Sequence, residues 1–133
     1  MKSKNTLEYA NEISGKNGMY DYLINKADKI SVHKIVSLIG RGKKVLDIGC
    51  YDGVIGEKIF NNNNVVYGID GSERAIKIAI EKGIIGKTCN LESKFEFNDD
   101  YFDVVFAGEI IEHIFDTDFF MNEIWSVLKN GGD

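Results

Sequence analysis

Four residues are best placed to do chemistry: Asp47, Gly49, Gly53 and Asp70. Lys44-Val45-Leu46-Asp47-Ile48 is a short apolar run after a Gly-containing link, the pattern of a buried parallel strand. Gly49 and Gly53 bracket a tight turn, and Val54 to Phe60 continues as a helix. A strand, a glycine turn and a helix bring backbone close to a ligand, with helix N–H groups aimed at it. A dinucleotide site would show G-x-G-x-x-G after the strand. Here the spacing is D-x-G-x-x-x-G, and the acid inside the strand end would repel a pyrophosphate. Asp47 suits instead a cationic ligand carrying an ammonium group. Asp70 ends the next apolar run, Val65 to Ile69, about twenty residues past the glycine turn, where a carboxylate can accept both hydroxyls of a ribose.

S-adenosylmethionine has that chemistry: a sulfonium, an amino-acid end, a ribose and no phosphate. The stretch Val45 to Gly53, VLDIGCYDG, resembles the first motif of class I S-adenosylmethionine-dependent methyltransferases, which typically reads (V/L)LD(I/V)GCGxG. Phe102 to Ile114, FDVVFAGEIIEHI, is similar to the family's FDxVxxxxxxEH(V/I) signature. Asn122 to Gly132 resembles its E(I/A)xRVLKPGG helix and turn, with Ser126 and Asn130 in place of the usual arginine and proline. The matched segments cover most of residues 44–132 in the family's order.

The resemblance implies S-adenosyl-L-methionine as cofactor and S-adenosyl-L-homocysteine as product. It assigns the cofactor to Asp47, Gly49, Cys50, Tyr51, Gly53, Asp70, Gly71, Asn90, Leu91 and Glu109. Asp70 would hold the ribose, and Asn90 would take the adenine amino group through its side-chain carbonyl, with a plain asparagine turn as the alternative. Tyr51 stands where the family has its middle glycine, so its ring must point away from the cofactor or lie along the methionine part. Methyl transfer is an in-line displacement that needs chiefly proximity and orientation. An oxygen or nitrogen acceptor can also need a general base. His113 is the candidate, since a neutral imidazole can take up a proton, against a purely structural role at a helix start. Glu109 and Glu112 are closer to ordering the loop or the cofactor amine. The implied activity is methyl transfer to a small-molecule acceptor. The alternative is a non-catalytic cofactor-binding or interaction module.

These residues need a scaffold that collects strand ends. Apolar strands are expected at 44–48, 65–69, 84–88 and 102–107, alternating with helices, which predicts an α/β fold with a Rossmann-like, doubly wound parallel sheet. One helix has Val32, Ile35, Val36 and Ile39 on its apolar face, with Ser31 as N-cap and Gly40 as stop. Another is capped by Ser72 and carries Ala75, Ile76 and Ala79; a later one carries Phe120, Ile124, Val127 and Leu128. Two shorter helices are expected around Leu7–Ile13 and Met19–Ile24. By resemblance, residues 1–42 form a helical cap segment that shapes acceptor selectivity, and residues 43–133 form the cofactor-binding core. The resemblance also orders the strands 3-2-1-4 and leaves the family's strands 5–7 missing. The expectation is a fragment or a short form, with the edge at Val104–Phe106 bare and open to a homodimer partner.

With 133 residues the chain fits one domain, and its 44% hydrophobic and 28% charged content is ordinary for a globular protein. Residues 1–44 carry nine Lys/Arg against four Asp/Glu, and residues 45–133 seven against seventeen. An acidic main body argues against nonspecific nucleic-acid binding, which depends on phosphate neutralisation. Cys50 and Cys89 are too few for a disulfide framework, and no Cys/His cluster suggests a metal. No apolar run approaches the about 18 residues needed to span a bilayer, and a cytoplasmic location is the default. The run Asn61–Asn64 reads as loop composition without a functional role.

Overall fold

Buried apolar strands alternate with amphipathic helices in the computed structural model, which describes residues 29–108, 110 and 113–133. In chain order these are α1 (Lys29–Ile39), β1 (Lys44–Ile48), α2 (Val54–Asn61), β2 (Val65–Asp70), α3 (Glu73–Glu81), β3 (Ile85–Thr88), β4 (Val104–Ala107) and α4 (Thr117–Val127). The two short helices expected around Leu7–Ile13 and Met19–Ile24 lie outside the described residues, as do Glu109 and Glu112. The four strands form one sheet in the order β3-β2-β1-β4, every pair parallel. This is the expected Rossmann-like arrangement.

Alternation along β1 decides what each face receives. Val45 and Asp47 point to one face, Leu46 and Ile48 to the other. On the first, Val45, Val66, Val104 and Phe106 pack with Ile35 and Ile39 of α1, Ile59 of α2 and Ala79 of α3. On the second, Leu46, Ile48, Ile69 and Val105 pack with Phe120, Met121, Ile124 and Val127 of α4. No helix joins β3 to β4; Phe95 and Phe102 from that connection fill the second face beside α4. Each fully buried phenylalanine here contributes about 1.5–3 kcal/mol.

Several boundaries differ from the sequence expectation. Helix α1 already runs from Lys29, so Ser31 lies inside it and not at the N-cap position. Serine is only a mild helix breaker, and the apolar face downstream carries the helix through it. Gly40 does stop α1: its φ is +82°, and its N–H donates to the Val36 carbonyl at 3.0 Å. Strand β4 starts at Val104, because Phe102 bridges to Leu128 beyond the end of α4. Asp103 turns its carboxylate back on β1, accepting the Lys44 N–H at 2.8 Å and pairing with Lys129 at 3.0 Å. The Lys44 N–H, then Lys129, hold the Asp103 carboxyl below the usual carboxylate range. The aspartate of the FD signature is thus a clasp between strands.

The β4 edge is not bare along its whole length. Asp133 donates its N–H to the Asp103 carbonyl and accepts the Val105 N–H, both at 2.9 Å. The Gly131-Gly132 turn therefore returns the chain alongside β4, and the first outward backbone groups of that strand are taken.

Candidate functional site

A cleft of about 440 Å³ opens at the carboxyl ends of β1 and β4, within the size range of small-ligand sites. Its floor includes Asp47, which is 3% exposed. Because Asp47 shares a face with Val45, its carboxylate points beneath α2. A Cβ on Gly56 of that helix would sit 3.2 Å from Asp47 Oδ2, so the glycine lets the helix pass over the acid. Among the described residues no cation pairs with Asp47. Burial first, and the charge of Asp70 second, push its carboxyl up to about 8. A buried acid that opens on a cleft and lacks a counter-charge is suited to an incoming cation.

The turn after β1 is tied to β2. The N–H groups of Gly49 and Cys50 both donate to the Ile69 carbonyl, at 2.8 and 3.1 Å. Cys50 is buried, and burial followed by the negative charge of Asp47 raises its thiol well above the ordinary value. Gly53 has φ +86°, and an added Cβ would meet Ile84 Cδ1 at 2.6 Å and the Ala79 backbone at 3.2 Å. This glycine therefore serves the packing of α2 on α3 as well as the turn. Tyr51 takes the left-handed conformation, φ +51°, while its side chain is 64% exposed at the cleft. A non-glycine residue there costs about 1–2 kcal/mol. Tyr51→Gly is expected to stabilise the fold by about 1 kcal/mol, since the ring has little packing to lose. Urea unfolding checks this, and a destabilised variant would show that the ring holds the turn.

Asp70 adds a second tie between the turn and β2. Its Oδ2 accepts the Tyr51 N–H and its Oδ1 the Ser72 N–H, both at 2.9 Å. Both oxygens are thereby oriented, and each retains accepting capacity for a hydroxyl. The Asp70 carbonyl also accepts the Cys89 N–H at 2.9 Å, which fastens the turn after β3. In that turn Asn90 Oδ1 accepts the Glu92 N–H at 3.0 Å, so the asparagine side chain builds its own turn. Leu91 packs partly against the second core.

The cleft brings Asp47, Gly49, Cys50 and Tyr51 together with His113, which sits in a short turn with its N–H on the Ile110 carbonyl at 3.0 Å. Gly53, Asp70, Gly71, Asn90 and Leu91 are not part of its lining. Asp70, Gly71, Asn90 and Leu91 occupy the neighbouring ends of β2 and β3, and Glu109 lies outside the described residues. Val32, Asp52, Phe106 and Ile110 also line the cleft without having been singled out as site residues from the sequence. Period two could have flagged Phe106, which follows Val104 on the Asp47 face. Nothing local marks Val32, since only packing brings α1 to the rim. Among the described residues no group of three His, Cys, Asp or Glu could hold a metal, and no helix is long and apolar enough to cross a membrane.

A parallel 3-2-1-4 sheet with an acid, a glycine turn and a second acid at adjacent strand ends defines the class. The model of the family described as "Methyltransferase domain" matches residues 46–133, and the chain belongs to that family, whose cofactor is S-adenosylmethionine. The mitochondrial ubiquinone biosynthesis O-methyltransferase of Rattus norvegicus is 35% identical over 100 residues, covering 68% of this chain and 29% of that protein. The corresponding enzyme of Pelagibacter ubique is 36% identical over 93 residues, covering 67% of this chain and 39% of its own length. The crystal structure of a TehB-like SAM-dependent methyltransferase from Corynebacterium glutamicum superposes with a TM-score of 0.68 at 20% identity, over 96% of this chain and 71% of that one. The chain thus spans well under half the length of these two sequence relatives.

Proposed function

We propose that the chain is the cofactor-binding part of a methyltransferase that moves a methyl group from S-adenosylmethionine to a hydroxyl oxygen of a small molecule. The observation that carries the reading is Asp47, a buried carboxyl group without a cationic partner among the described residues, opening on a cleft beside the glycine turn. Asp47 would hold the cofactor ammonium, Gly49 and Tyr51 would flank its methionine part, and Asp70 would accept the ribose hydroxyls. Asn90 and Leu91 would border the adenine, and Glu109 would order the loop near the amino group. The cofactor supplies a methyl group on a positively charged sulfur. Oxygen as the acceptor atom is supported by the relatives, which are named O-methyltransferases. A hydroxyl acceptor must lose its proton, and His113 at the cleft would take it.

Calorimetric titration with S-adenosylhomocysteine is expected to show one site, with no competition by NAD. Asp70→Ala is expected to weaken binding by about 1.5–3 kcal/mol, the range for hydrogen bonds to a charged acceptor. Asp70→Asn, which keeps one accepting oxygen, should lose less. Unchanged affinity in a folded Asp70→Ala variant would move the ribose elsewhere, and no heat with the unaltered chain would sink the cofactor assignment.

A further inference from the structure

We propose that Glu92 is a positioning residue for this site, fastening the segment after β4 to the turn after β3 that carries Asn90 and Leu91. The inference rests on the cofactor reading above. Its basis is one bond across 23 positions of sequence: Glu92 Oε1 accepts the Phe115 N–H at 2.6 Å. An ionised acceptor makes this stronger than a neutral backbone contact.

Both ends of the bond sit beside residues of the site. On one side the turn is fixed before Glu92 is reached. Cys89 is tied to Asp70, and the Ser93 N–H donates to the Asn90 carbonyl at 2.9 Å, while the Asn90 side chain takes the Glu92 N–H. On the other side, Phe115 lies two residues from His113 at the cleft and directly before Asp116, which caps α4 by accepting the Phe119 N–H at 3.0 Å. The Phe115 ring is 97% exposed, so packing does not hold this residue in place. Ile114, 9% exposed, anchors the neighbouring position in the core. Loss of the Glu92 bond would therefore leave the segment folded and release only its distance from the turn. The ligand end of such a sheet is the carboxyl end of its strands. The bond thus sets the spacing between the adenine-side turn and the histidine side of the cleft.

The test compares Glu92→Ala with Glu92→Gln, whose amide oxygen can still accept. Amide hydrogen exchange reads the bond at Phe115, and calorimetry with S-adenosylhomocysteine reads the site. Glu92→Ala is expected to speed exchange at Phe115 and weaken binding by about fivefold, at the low end of coupling between sites. Glu92→Gln is expected to restore both in part, since its amide oxygen accepts without the charge. An alanine variant with a deprotected Phe115 amide and unchanged affinity would overturn the role, as would a glutamine variant as weak as alanine. Absence of binding in the unaltered chain would instead overturn the cofactor reading on which the role depends.

Discussion

Asp47→Asn is expected to stabilise the folded chain at neutral pH while weakening its hold on S-adenosylmethionine. The carboxyl is pushed up to about 8 by burial and by Asp70, whereas the unfolded chain ionises it near the ordinary 3.8. Between those values the folded state keeps a proton that the unfolded state has lost, so stability falls as pH rises through the window. Each pH unit is worth about 1.4 kcal/mol for one such group, and the penalty is complete above about 8. From pH 5 to pH 7 the unaltered chain should lose about 2–3 kcal/mol through this residue, and the asparagine variant should not. Urea unfolding at several pH values measures the difference in slope, and equal slopes would refute the burial argument.

The same proton enters binding. An ammonium beside Asp47 favours the carboxylate, so below about pH 8 the ligand displaces a proton. Affinity should rise with pH up to that point and be weaker by about 1.5–3 kcal/mol in Asp47→Asn, with the pH dependence gone. Calorimetry in buffers of different ionisation enthalpy counts the proton directly. On the proposed reading, Asp47 costs stability in the free chain and would gain its counter-charge from the ligand.

Asn64→Ala is expected to be the most damaging change at an asparagine, at about 2–3 kcal/mol. Asn64 is 6% exposed. Its Oδ1 accepts the Lys43 N–H, and its Nδ2 donates to the carbonyls of Gly40 and Ile59, each at 2.9 Å. One amide thereby joins the end of α1, the last turn of α2 and the link into β1. Alanine would take one hydrogen bond from each of the three, the Gly40 and Ile59 carbonyls keeping their bonds to Asn62. Asn61→Ala, on the exposed end of α2, should stay within about 0.5 kcal/mol. A shift of the urea midpoint in both variants, or in neither, would contradict this division.

The asparagine run shows where sequence reading stops. Asn61 to Asn64 looks like loop composition, yet Asn63 adopts φ +64°, a conformation asparagine tolerates, and Asn64 is a buried clamp. The partners of Asn64 at 2.9 Å lie 5 to 24 residues away, and no local pattern announces them. The FD signature behaves in the same way. Its Asp103 clasps Lys44 across 59 positions, which spacing within the motif does not suggest.

The sequence by itself determined the strands, the helices and their alternation, because periodicity and glycine punctuation are local and a parallel sheet follows from them. With the resemblance it also set the strand order and assigned Asp47, the glycine turn and Asp70 to one ligand. Tertiary structure alone decided the electrostatics and the walls of the site. Asp47 is an unusual acid only because α2 covers it at Gly56 and Asp70 lies close by. Val32 and Ile110 reach the cleft only because packing carries α1 and the segment after β4 to the end of β1. Burial and approach between distant segments are properties of the assembled core, and desolvation has no value until that core exists.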